Sequence, residues 1–131
     1  MDAEVLLVDD NPIQAATRQA ILSLPGRAVA VAEGARQALE MLEDEQLLNS
    51  IGLVITDHWM PDINGPQFVD LLRRRLPIVP VLVLSGLSDV EAEYAGLDVI
   101  FRVKPIAPAQ LMALVDSLLD EPMDEPMSRT A

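Results

Sequence analysis

A doubly wound α/β fold on a five-stranded parallel sheet is predicted by three features of this 131-residue sequence. Apolar runs of strand length recur at Val5 to Val8, Val29 to Ala32, Leu53 to Ile55, Val81 to Leu84 and Val99 to Val103. Most of the segments between them carry helical periodicity, so strands and helices alternate along the chain. Half of the residues are hydrophobic but only 3% are aromatic, which leaves Val, Leu, Ile, Ala and Met to build the core. That composition suits strands covered on both faces. The length fits one domain, with no room for a second independent core. Right-handed crossovers between parallel strands then place helices on both sides of the sheet.

Between Asn11 and Leu24 the apolar stripe is read as Ile13, Ala16, Ala20 and Ile21, with Asn11 as the cap and Pro12 at the first helical position. Leu24-Pro25-Gly26 stops that helix. The next helical segment carries Ala35, Ala38, Leu39 and Leu42 on its inner face, less regularly. A third helix begins after Gly65-Pro66, turns Phe68, Leu71 and Leu72 to one side, and ends near Leu76-Pro77. Its Arg73, Arg74 and Arg75 are read as cations stabilised by the C-terminal end of the helix dipole, in preference to a site for an acidic or phosphorylated partner. Lys104 follows Ser85 by only 19 positions, so the helix between them is expected to be short or irregular. In the last helix Leu111, Leu114, Val115, Leu118 and Leu119 fall at i, i+3, i+4, i+7 and i+8. From Asp120 to Ala131 the chain is acidic and proline-rich, with Asp-Glu-Pro-Met twice and no face to bury. The expected division is a domain over residues 1–119 and a disordered tail or linker over 120–131.

Twenty-one acidic residues against nine basic ones leave a net charge of −12, which repels a phosphate backbone and argues against direct nucleic-acid binding. No apolar stretch approaches the ~20 residues of a membrane span. Met1-Asp2-Ala3-Glu4 lacks the basic start of a signal peptide, so the cytoplasm is the expected location. The absence of cysteine excludes disulfides, zinc-thiolate sites and a thiol nucleophile within the chain.

In doubly wound sheets ligands gather beyond the C-terminal strand ends. There the sequence places Asp9 and Asp10 after the first strand, Asp57 after the third, Ser85 after the fourth and Lys104 after the fifth. Three carboxylates brought together raise one another's pKa unless they share a cation. Oxygen ligation is what Mg²⁺ prefers. A lysine and a hydroxyl on neighbouring strands suit the equatorial oxygens of a phosphoryl group.

Four pieces, Val8-Asp9-Asp10-Asn11, Asp57-His58-Trp59-Met60-Pro61 followed by Gly65, Ser85, and Lys104-Pro105, carry a resemblance to a known family. Over residues 4 to 119 the sequence resembles the response-regulator receiver domain of two-component signalling, in its chemotaxis-regulator-like form. The resemblance implies a flavodoxin-like sheet of strand order 2-1-3-4-5. It makes Asp57 the phosphoacceptor, Asp10 a direct Mg²⁺ ligand, Asp9 a ligand through water, and the Trp59 main-chain carbonyl a further ligand. Lys104 would pair with the phosphoryl oxygens, Ser85 would donate its hydroxyl to one of them, and Phe101 would be the aromatic switch. The Lys104-Pro105 bond is expected to be cis. His58, the sole histidine, is read as a neighbour of the site and not as a base. The implied donor is a phosphohistidine on a histidine kinase or histidine phosphotransfer protein, and the output a changed interaction with a downstream protein. A homodimer is allowed but not required. Such a domain is a switch with slow self-dephosphorylation more than an enzyme. Trp59 and Leu87, two positions past Asp57 and Ser85, would flank the path of the hydrolytic water and are expected to slow it.

Two rival readings are weaker. An aspartyl-phosphate phosphohydrolase needs an acid two residues after its nucleophile, where this chain has Trp59, which cannot protonate a leaving group. A pseudo-receiver acting only as a docking module typically lacks part of the acidic site, which this chain retains. The family that this sequence resembles often signals through the face formed by the fourth helix, the fifth strand and the fifth helix, so the resemblance implies that the short segment before Lys104 bears on partner choice and dimer mode.

Overall fold

The computed structural model describes residues 2–24 and 26–120. Its sheet has five parallel strands in the order β2-β1-β3-β4-β5: β1 Val5–Val8, β2 Val29–Ala32, β3 Leu53–Asp57, β4 Val81–Ser85 and β5 Ile100–Val103. This is the predicted flavodoxin-like order. Every residue of β1, β3 and β4 is buried, as continuous apolar strands between two helical layers must be. Side chains alternate across the sheet. Leu6, Val8, Val54, Val81 and Val83 pack with residues of α2 (Ala35–Met41), α3 (Glu45–Ser50) and α4 (Gly65–Arg75). Val5, Leu7, Leu53, Ile55, Leu82 and Leu84 pack with Leu22 of α1 (Pro12–Ser23) and with Leu111 and Val115 of α5 (Pro108–Asp120).

The start of α1 matches the sequence reading. Asn11 accepts hydrogen bonds from the backbone N–H groups of Ile13 and Gln14, and Pro12 opens the helix. Its buried face does not match. Ala15 and Leu22 are buried, whereas Ile13 is 78% exposed, Ala16 and Ala20 lie in solvent, and Ile21 is half-buried. The true inner face carries Arg18 and Gln19 between its two apolar residues, and both polar side chains find partners there. Gln19 donates to the Val29 carbonyl; Arg18 reaches the acidic site. Counting apolar residues misplaces a stripe whose polar members are satisfied internally.

The second helical segment is two helices. Asp44 accepts from the N–H groups of Gln46 and Leu47 and so starts α3, which buries Leu47. In α4, capped by Asn64, the buried residues are Phe68, Val69 and Leu72, with Leu71 half-buried. The short fourth segment is a 3₁₀-helix over Ser88–Tyr94 that buries Val90 and Tyr94. In β5, Arg102 and Val103 are exposed. The α5 stripe follows the reading, with Leu111 and Val115 buried and Leu114, Leu118 and Leu119 packed beside them. Asp120, the first residue of the expected tail, ends α5, and the rest of that tail lies outside the described residues. Among the described residues no helix is long and apolar enough to cross a membrane.

Candidate functional site

The register that sets Val8 opposite Thr56 brings the ends of β1 and β3 to one edge, so Asp9 and Asp57 emerge side by side. Asp57 and Ser85 close β3 and β4 as their last residues instead of following them. Lys104 comes directly after β5. Two further backbone bonds tie this edge together: His58 N–H donates to the Leu84 carbonyl at 2.8 Å, and Lys104 N–H to the Ser85 carbonyl at 2.7 Å. Carboxylate oxygens of Asp9, Asp10 and Asp57 lie within 4.8 Å of one another, with Asp9 and Asp57 buried and Asp10 exposed. The trio opens on a cleft of about 550 Å³ that Trp59 and Lys104 also line.

Burial pushes the Asp9 carboxyl up to about 7, helped by a hydrogen bond shared with Asp57 and by that group's charge; the Asn11 N–H and Arg18 pull the other way. Lys104 Nζ stands 2.9 Å from Asp57 Oδ1 and 3.4 Å from Gln14 Oε1. The Lys104-Pro105 peptide is cis, as expected. The Ser85 hydroxyl is turned into its own loop, donating to the Leu87 carbonyl and accepting from the Leu87 N–H. Trp59 stands at the rim with 79% of its surface exposed, and Leu87 is 59% exposed.

Phe101 is buried and packs against Tyr94, with ring centroids 5.9 Å apart. The Tyr94 hydroxyl lies 2.6 Å from His58 Nδ1. Thus a ring-to-ring path joins the residue after Asp57 to Phe101. Gly65 makes room for it, because a Cβ there would collide with the Tyr94 hydroxyl.

Two residues of this region have no place in the sequence reading. Tyr94 carries no local signal. Arg18 does, since it lies three positions after Ala15 and four before Leu22 and therefore shares their buried face. Its Nη1 is 2.9 Å from Asp9 Oδ2 and 3.5 Å from Asp57 Oδ1. The site is an all-oxygen trio suited to a hard divalent cation, flanked by two organic cations that meet on Asp57.

Residues 5–116 match the family model of the response regulator receiver domain. The chain is 28% identical over 123 residues to a two-component response regulator of Oryza sativa subsp. japonica, an alignment covering 88% of this chain and 87% of that protein. To the transcriptional regulatory protein PrrA of Mycobacterium tuberculosis it is 36% identical over 118 residues, 88% of this chain but 49% of PrrA. It spans only 12% of the gliding motility regulatory protein of Myxococcus xanthus, at 33% identity over 96 residues. Among solved structures, a chemotaxis protein of Vibrio cholerae superposes with a TM-score of 0.78 at 25% identity, covering 91% of this chain and all of that one. A receiver domain protein from Methanospirillum hungatei shares the fold with a TM-score of 0.82 at 21% identity, over 95% and 98% of the two chains. With the strand order and the match over residues 5–116 in agreement, the chain belongs to the response regulator receiver domain family and is a signalling domain of the two-component type.

Proposed function

We propose that Asp57 accepts a phosphoryl group from a phosphohistidine and that the acyl phosphate so formed switches a protein-binding surface. The observation that carries this reading is the 2.9 Å contact of Lys104 Nζ with Asp57 Oδ1 beside Asp9 and Asp10. A carboxylate oxygen of Asp57 attacks the phosphorus in line; the O–P bond forms as the N–P bond breaks, and the imidazole leaves. Mg²⁺ held by Asp10, Asp57 and the Trp59 carbonyl, with Asp9 acting through water, would neutralise charge on the transferring group. Lys104 pairs with a phosphoryl oxygen. The Ser85 hydroxyl leaves Leu87 to donate to another, and Phe101 shifts against Tyr94, biasing a two-state surface. Loss of the phosphoryl group to water resets the switch.

The donor in this reading is a histidine kinase or histidine phosphotransfer protein. Beside Lys104 an apolar groove lined by Ile13, Ile21, Pro105 and Ile106 fits a helix of that phosphohistidine carrier, because it adjoins the acceptor. Residues 1–119 form the switching unit and 120–131 its tail or linker, acting in the cytoplasm. A docking module that is never phosphorylated is the second reading, favoured by the position of Arg18 inside the acidic cluster.

One measurement separates the two. Incubated with a small phosphodonor and Mg²⁺, the parent gains one phosphoryl mass and Asp57→Asn gains none. Equal labelling of parent and variant removes Asp57 as the acceptor, and labelling of neither supports the docking module.

A further inference from the structure

Arg18 is where this site does something its acidic residues do not explain. Its side chain is 13% exposed and lies on the face that α1 turns to the sheet. A guanidinium in such a place is tolerated only where anions and acceptors replace its water. Here the replacements are the carboxylates of Asp9 and Asp57, both reached by the same nitrogen, Nη1. Asp57 Oδ1 therefore receives Arg18 and Lys104 together, and each oxygen of Asp9 has a donor, Asn11 N–H on Oδ1 and Arg18 on Oδ2.

We infer that Arg18 is a built-in counter-cation: it holds Asp9 and Asp57 while no metal is bound and must yield them to a divalent cation, so it sets the concentration at which the site loads. The inference rests on the phosphoacceptor reading above. A divalent ion in this trio draws on the same two carboxylates. Even where it uses their other oxygens, a guanidinium a few ångströms away repels it, since neither charge is well screened at buried groups. Removing Arg18 then has two opposite consequences. The metal-free chain loses stability, because the buried Asp9 loses its ion pair with Arg18 while Asp57 keeps Lys104. The metal-bound chain gains, because the competitor is gone.

The test is a titration of the full chain with Mg²⁺, followed by the fluorescence of Trp59, the sole tryptophan and a lining residue of the cleft, and independently by the rise in melting temperature with metal. Arg18→Met keeps length and suits the buried face. It is expected to bind Mg²⁺ about tenfold tighter than the parent, the loss of one charge-assisted contact, while melting lower without metal. Arg18→Lys, which keeps the charge without the fork, falls between the two. A gain in affinity is not a result that misfolding produces. Equal or weaker binding by Arg18→Met overturns the inference alone if the parent is still phosphorylated at Asp57. Silence of all three chains at every Mg²⁺ concentration, with no phosphorylation, overturns the inference and the phosphoacceptor reading together.

Discussion

Trp59 and Leu87 follow Asp57 and Ser85 by two positions, and their chemistry bears on how long an acyl phosphate at Asp57 survives. Indole offers a donor but no acceptor, and the leucine side chain offers neither, so nothing there orients an attacking water. Trp59 lines the cleft that holds Asp57, whereas Leu87 grips the Ser85 hydroxyl through its main chain. The phosphorylated parent is therefore expected to be long-lived, and a Trp59→Asn, Leu87→Glu double variant to lose its phosphoryl group several-fold faster. Following phosphoryl loss by intact mass checks this, and an unchanged or slower rate would show that these side chains do not control water. At this scale the acids and Lys104 were legible because each ends or follows an apolar strand. Arg18 was missed because the apolar stripe of Ile13, Ala16, Ala20 and Ile21 put the buried face of α1 elsewhere, although the spacing of Ala15, Arg18 and Leu22 held the signal.

The elements are tied together by one of the three arginines at the end of α4. Arg73 donates to four carbonyls: Leu76, Val79, Leu97 and Asp98. The last of these belongs to a residue in the left-handed region, with φ of 57°. Burial pulls Arg73 below its ordinary pKa while Asp98 opposes the fall. Arg75 reaches the Leu42 carbonyl after α2, and Arg74 pairs on the surface with Asp70. The dipole reading covers the near carbonyls only; the distant ones fix how α4 meets the loops before β4 and β5. Arg73→Ala is expected to cost about 2–4 kcal/mol in urea unfolding, since several charge-assisted bonds vanish at once. Arg73→Lys recovers only part, because an ammonium cannot span the carbonyls that a planar fork does. Arg74→Ala should change stability by less than about 0.5 kcal/mol, as exposed pairs do.

Over the whole molecule, the raised pKa of Asp9 links metal-free stability to pH. Its folded value of about 7 exceeds the ordinary 3.8, so between those values the folded chain binds a proton that the unfolded chain has released. Stability is then highest at the low end of the window and falls as pH rises toward 7, with a slope approaching about 1.4 kcal/mol per pH unit. Asp62 acts in another window. Burial alone would raise its carboxyl, but the N–H groups of Arg36 and Ile63 hold it below its ordinary value, so its share is lost only as pH falls below that value. Unfolding in chelator between pH 5 and 8 should show the Asp9 slope in the parent and not in Asp9→Asn. A slope retained in the variant would place the proton elsewhere.

The strands, the cap at Asn11 and the row of acids at the strand ends could be read from the sequence by itself, because burial on both faces demands apolar runs whatever the partners are. The helices were less legible where polar residues set the boundaries: Asp44 starts α3 beyond the stripe that ends at Leu42, where the periodicity marked no second helix. Only the tertiary structure decided that Arg18 faces inward to Asp9 and Asp57, that the Ser85 hydroxyl is bound to its own loop, and that Tyr94 bridges His58 and Phe101. The physical reason is range. Hydrophobic periodicity is written in neighbouring residues, whereas a buried charge or hydroxyl is satisfied by whichever partner the folded chain brings within about 3 Å.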